Sequence, residues 1–113
     1  MGEKIPVKKS NHALARFSQR GISDQSVLIL QRYTPARIHY GRVVYLGQDK
    51  YIDPLVRQAL INAQEADKLR GLAVICTCEG EVVTAYYPDR KRWKIFMRCP
   101  FYRSSYQAET QAS

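Results

Sequence analysis

His12, Arg16 and Arg20 recur every four residues in the stretch SNHALARFSQRGIS, residues 10–23. On a helix, at about 100° per residue, three such side chains fall within an arc of roughly 80°. The row is either a solvated face or a set of groups aimed at something negative. Arginine offers a permanently charged planar fork that matches phosphate oxygens. Histidine titrates near neutral pH and can carry a proton. Together they supply what phosphodiester transfer without a metal requires. That is proton transfer at the 2′-oxygen or the leaving 5′-oxygen, and cationic stabilisation of the crowded phosphorane.

A second group lies in EVVTAYYPD, residues 81–89. If this is a strand, Val82, Thr84 and Tyr86 share one face while Val83, Ala85 and Tyr87 share the other. A hydroxyl and a phenol on one side can hydrogen-bond a phosphate or stack a base; both residue types are also simply favoured in strands. The third group is basic and aromatic. Arg90, Lys91, Arg92, Lys94, Arg98 and Arg103 alternate loosely with Trp93, Phe96, Phe101 and Tyr102. Phosphate attraction combined with base stacking is the usual pattern for single-stranded RNA, although some of these rings must build the core.

Other signatures are missing. The chain has no Gly-rich phosphate loop, no His-Glu-x-x-His and no carboxylate cluster that stands out as suited to Mg²⁺, so no metal or other cofactor is expected. Its three cysteines, Cys76, Cys78 and Cys99, are an odd number without the paired spacing of a zinc site. Cys76 and Cys78, alternating with Ile75 and Thr77, are expected on one strand face as small hydrophobes.

These groups need a scaffold, and 113 residues are enough for one domain with a modest core. Eighteen Lys and Arg against ten Asp and Glu leave a net charge of +8. On so small a surface this points to a polyanionic partner, most often nucleic acid, or else to a merely soluble basic protein. No apolar run approaches the length of a membrane span, and MGEKIPVKKS lacks the apolar core of a secretory signal. A cytoplasmic protein with no membrane contact is therefore expected.

Along the chain, residues 1–9 read as a basic flexible tail. Ser10 and Gly21 suit the two ends of a first helix, with Ala13, Leu14, Phe17 and Ile22 available for the core. Ser23 and Asp24 cap a second helix to about Gln31, with Val27, Leu28, Ile29 and Leu30 as its apolar members; Thr34-Pro35 ends it. RIHYGRVVYLG, residues 37–47, reads as one bent strand or a tight hairpin about Gly41. Asp53-Pro54 suits the start of a third helix to about Leu69, with Leu55, Ala59, Leu60 and Ala63 as its buried stripe. Residues 72–88 read as an antiparallel hairpin about Glu79-Gly80. One more strand is expected over Trp93 to Arg98, and residues 104–113 read as a polar tail. Helices first and a mainly antiparallel sheet afterwards imply a small α+β domain over residues 10–103.

Ser10, His12, Ala13, Arg16, Arg20, Gly21, Ile22 and Ser23, followed much later by VVTAYYPD at residues 82–89, resemble the opening and closing motifs of the domain-of-unknown-function family 4258. The resemblance spans roughly residues 10–92. That family is grouped with the barnase, EndoU, colicin and RelE ribonuclease-like fold. It implies two N-terminal helices packed on a twisted, mainly antiparallel sheet of about four strands; the helical segment at about 53–70 departs from that pattern and reads as an insertion. It further implies metal-independent RNA cleavage, commonly by a toxin with an antitoxin or immunity protein as partner. By position, His12 would be the general base or acid, and Arg16, helped by Arg20, would steady the phosphate. Thr84 and Tyr86 would orient it, with Tyr86 a candidate second proton donor. Beyond that motif, the basic and aromatic composition makes Arg90, Lys91, Arg92, Trp93 and Lys94 the expected RNA-binding residues. The alternatives are a non-catalytic nucleic-acid-binding or regulatory protein on the same scaffold, or a domain that docks a protein through the insertion. Oligomeric state is open.

Overall fold

The structure, a computed structural model, describes residues 22–102. The expected helix bearing His12, Arg16 and Arg20 and the two expected tails lie outside the described residues. Within them the chain is α+β. Its order is α1 (Asp24–Tyr33), β1 (Ala36–His39), β2 (Arg42–Leu46), α2 (Asp49–Arg57), α3 (Ala63–Leu69), β3 (Ala73–Cys76), β4 (Val82–Tyr86) and α4 (Arg90–Met97). The four strands form one antiparallel sheet in the order β1-β2-β3-β4.

Local chemistry accounts for the first half. The Ser23 hydroxyl accepts the amide hydrogen of Ser26 at 3.1 Å, occupying a donor that the start of α1 would leave open. Val27 and Leu30, three apart, are both fully buried. The Thr34 hydroxyl donates to the Leu30 carbonyl at 2.6 Å, and Pro35 then blocks continuation. Of the two readings of residues 37–47, the structure has the hairpin. Its two-residue turn is Tyr40-Gly41, with φ of 49° and 75°, which matches the twist of the flanking strands.

The stretch from Asp53 to Leu69 is not one helix. α2 begins at Asp49, so Pro54 lies inside it, and the helix stops at Arg57. Ala59 then turns at φ 60°. α3 starts afresh where Asn62 and Glu65 form a reciprocal capping box, each side chain accepting the other's amide hydrogen at 2.8 Å. The buried residues here are Ile52, Leu55, Ile61, Ala66 and Leu69, whereas Ala59, Leu60 and Ala63 are exposed. Arg70 ties the two helices together. Its Nη1 donates to Asp49 at 2.8 Å and Asp53 at 2.9 Å, and Asp67 lies 3.8 Å from its Nε. Three carboxylates scattered in sequence thus converge in space on one guanidinium, and the hydrogen bonds to Asp49 and Asp53 hold it above its ordinary pKa.

Gly47 is required by a close approach. A Cβ there would stand 1.8 Å from the Leu69 carbonyl oxygen. The bare backbone lets β2 exit against the end of α3, where the Gly47 amide donates to Leu72 at 2.8 Å and Gly71 donates back at 3.0 Å.

The segment over Trp93 to Arg98 is not a strand either. It belongs to α4, which Asp89 caps by accepting the Arg92 amide hydrogen at 2.8 Å. Trp93 and Phe96, three apart, turn toward the sheet, and this is a helical spacing. The sheet is therefore covered on both sides. On one face α1, α2 and α3 pack against Ala36, Val43, Val74, Cys76, Val82 and Ala85. On the other, Phe96 packs against Val44, Leu46 and Ala73, with Ile75, Tyr86 and Trp93 partly buried around it.

Candidate nucleic-acid interface

Strict alternation would place Val82 with Thr84 and Tyr86. The register prevents this: Ile75 pairs with Thr84 but Cys76 pairs with Val82, leaving Val83 as an extra residue. The resulting bulge turns Val82 into the core beneath α1 to α3. Thr84 and Tyr86 keep company on the α4 face, both half-buried, with Tyr86 against the Phe96 cluster. They lie on the face opposite α1, and Ile22, where the described chain begins, is buried on the α1 side. The structure brings Thr84 and Tyr86 to the face that α4 covers. How His12, Arg16 and Arg20 sit relative to them falls outside the described residues.

The face that α4 turns to solvent carries Arg90, Lys91, Arg92, Lys94 and Arg98, all exposed. Arg90, Lys94 and Arg98 recur every four residues and form a line along the helix. The helix itself contains no carboxylate; its N-cap Asp89 is spent on the Arg92 amide. None of these five cations forms an ion pair with a described carboxylate. Three of them crowd the first turn, where the helix dipole already presents its positive end. Each costs about 0.3–1 kcal/mol at low ionic strength. Trp93, expected to contact RNA, is half-buried and packs in the Phe96 cluster.

Sequence reasoning passed over the residues that hold α4 in place. Arg37 is only 6% exposed and has no carboxylate partner among the described residues. Its Nη1 donates to the carbonyls of Met97 and Cys99, both at 3.0 Å, at the negative end of α4. The same guanidinium lies over the Phe101 ring, 4.4 Å from the centroid. The chain then runs along the outside of β1: Ile38 donates to Pro100 at 2.9 Å and Tyr102 donates to Ala36 at 2.8 Å. His39 completes the seam. Its Nδ1 is 3.2 Å from the Cys99 sulfur, and its ring meets Phe96 edge-on at 5.2 Å and Tyr40 at 4.6 Å. The legible signal was the Tyr-Gly turn, which obliges residues 36–39 to pair with 42–45 and so puts Arg37 and His39 on one face.

The cysteines separate. Cys76 is buried within β3, where burial pushes its thiol up to about 11 against a hydrogen bond from Gln31 at 3.4 Å. Cys78 is not beside it on the strand; the strand has ended, and Cys78 is exposed in the turn. Burial also raises the Cys99 thiol, and the nearby Arg37 charge offsets part of that. Among the described residues no helix is long and apolar enough to cross a membrane.

Chemically, this face can attract a polyanion along α4 and offer hydroxyls and rings at its margins. Comparison of the chain with protein-family models, curated proteins and solved structures finds no match in any of the three.

Proposed function

We propose that this chain is an RNA-interacting protein whose outer α4 surface receives the phosphate backbone. In its fullest form it is a small metal-independent endoribonuclease of toxin type. The observation that carries the RNA reading is the line of Arg90, Lys94 and Arg98, flanked by Lys91 and Arg92, without a described carboxylate to neutralise it. A folded chain gains nothing from such self-repulsion, and a polyanion removes it. Cleavage is what the resemblance to family 4258 adds. In this reading the helix over residues 10–20 precedes α1 as the first of two N-terminal helices, and α2 with α3 forms an insertion between strands. His12 acts as acid or base and Arg16 with Arg20 stabilises the phosphorane, while Thr84 and Tyr86 orient the phosphate. An antitoxin or immunity protein would then be the natural partner.

A second reading has its own support. Thr84 and Tyr86 face away from the side on which Ile22 and α1 pack, an arrangement that suits a binder without a composite catalytic cleft. One experiment separates the two. Single-stranded RNA is incubated with the protein in EDTA, and the products are examined for 2′,3′-cyclic phosphate ends. The nuclease reading expects fragments from wild type and none from His12→Ala or Arg16→Ala. Intact RNA that is nonetheless bound leaves the binder.

A further inference from the structure

Tyr40 occupies the tip of the β1–β2 hairpin under two unusual conditions at once. Its backbone sits at φ 49°, a conformation that glycine or asparagine adopts readily and a bulky side chain does not. Its side chain is also 93% exposed, the most exposed large hydrophobic residue among those described. A turn selected for stability alone would carry asparagine there, and a tyrosine retained for packing would be covered. The ring contributes one contact inward, an edge-on approach to His39 at 4.6 Å. That contact sets one edge of the ring against His39. His39 is held from behind by Phe96 at 5.2 Å and by the Cys99 sulfur at 3.2 Å, both at the C-terminal end of α4. Through His39 the tip is linked to the C-terminal end of α4, where the cation line ends at Arg98, and Arg42 is exposed opposite His39 in the ladder.

We infer that Tyr40 is a base-stacking platform at the end of the α4 cation line, and that the nucleic acid received there is single-stranded. The inference rests on the RNA reading of α4 and names the substrate class of that same surface. The division of labour is physical. Guanidinium and ammonium groups one helical turn apart attract phosphates of any strand, paired or not. An isolated aromatic ring on a narrow hairpin tip can stack only on a base that is not already stacked and paired. The left-handed backbone, with the ring braced by His39, holds that surface ready instead of letting it fold against the sheet. The platform thus discriminates strand state while the helix supplies general affinity.

The test compares a fluorescein-labelled single-stranded oligouridine, an RNA duplex of the same length and an abasic oligonucleotide, each titrated with wild type, Tyr40→Phe and Tyr40→Gly. Stacking on one base corresponds to a loss of about tenfold when the ring is removed. Tyr40→Gly is expected to bind the single strand about tenfold more weakly, to bind the duplex and abasic strand as wild type does, and to unfold at a higher temperature because its turn is relaxed. Tyr40→Phe is expected to keep single-strand binding. If wild type binds the single strand and Tyr40→Gly binds it equally well, the platform is wrong and the RNA reading of α4 stands. If Tyr40→Gly loses duplex and single strand to the same extent, stacking is again wrong. If wild type binds none of the three, the reading and the platform fall together.

Discussion

Arg37 Nη1 donates to the main-chain oxygen of Met97 at 3.0 Å across sixty residues of chain, and no described carboxylate shares the guanidinium. Its buried Nε has no hydrogen-bond partner among the described residues. Among the described residues the charge is balanced by the carbonyl end of α4 and the face of Phe101. Arg37→Met fills the space but leaves two carbonyls without their donor, and it should destabilise the fold by about 2–3 kcal/mol. Urea unfolding measures the loss, and hydrogen exchange at residues 97–102 should quicken with it. Unchanged exchange there would show that α4 is held by packing alone.

The first turn of α4 should trade stability against binding. Arg90→Glu and Lys91→Glu each place a negative charge at the positive end of the helix dipole, and each should stabilise the chain by about 0.5 kcal/mol. Both should weaken RNA binding. Neutralising Arg90, Lys94 and Arg98 together should lower the slope of log affinity against log salt by about 2, at roughly 0.7 per phosphate contact on a single strand. Titrations from low to moderate salt read this directly, and an unaltered slope would place the phosphates elsewhere.

Stability should decline in alkali from a definite point. Burial raises the Cys76 thiol from 9.0 to about 11 and the Tyr45 phenol from 10.0 to about 12, the latter aided by Cys76 and Tyr102. The folded chain therefore holds both protons more tightly than the unfolded one. The resulting stabilisation is complete below pH 9, falls as the unfolded thiol ionises, and is lost by about pH 12. Each group accounts for on the order of 2–3 kcal/mol. Tyr87, which donates to the Lys68 carbonyl at 2.6 Å and is also raised by burial, adds in the same direction. In Cys76→Ala, where Cys99 is still raised by burial, the loss of stability between about pH 9 and pH 11 should be shallower than in wild type, as followed by denaturant midpoints across the range. An equally steep loss in both proteins over that range would contradict the assignment.

Gly47→Ala tests the packing of β2 against α3. With the Leu69 carbonyl 1.8 Å from the new Cβ, backbone must move on one side or the other. The cost should reach about 3 kcal/mol, at the severe end for a single added methyl. Circular dichroism during thermal unfolding suffices to see it. A variant as stable as wild type would mean that the strand exit is looser than described.

The parts of the fold legible in the sequence are those specified by short-range chemistry. Ser23 before an apolar run marks α1, and Glu79-Gly80 between β-branched runs marks a hairpin, while Gly41 leaves a bent strand and a hairpin both open. The errors came where one residue's strong signal competed with a better local one. Pro54 suits a helix start, yet Asn62 and Glu65 supply a true capping box eight residues later, and Pro54 is carried within α2. In RKRWKIFMR the aromatic content suggested a strand, while Asp89 as a cap and the three-residue spacing of Trp93 and Phe96 already indicated a helix. The site was legible as chemistry but not as geometry. The basic and aromatic composition of residues 90–98 was plain, but the bulge at Val83 that separates Val82 from Thr84 arises from pairing with β3. Arg37 and His39 carry no motif; only the packing of α4 across β1 gives them their partners.

The central claim is that RNA lies along the outer face of α4. Photocrosslinking with a single-stranded RNA containing 4-thiouridine, followed by mass spectrometry of the attached peptides, tests it most directly. The account predicts crosslinks within residues 90–98 and at Tyr40. Crosslinks confined to α2 and α3, around Arg70 and its three aspartates, would contradict it.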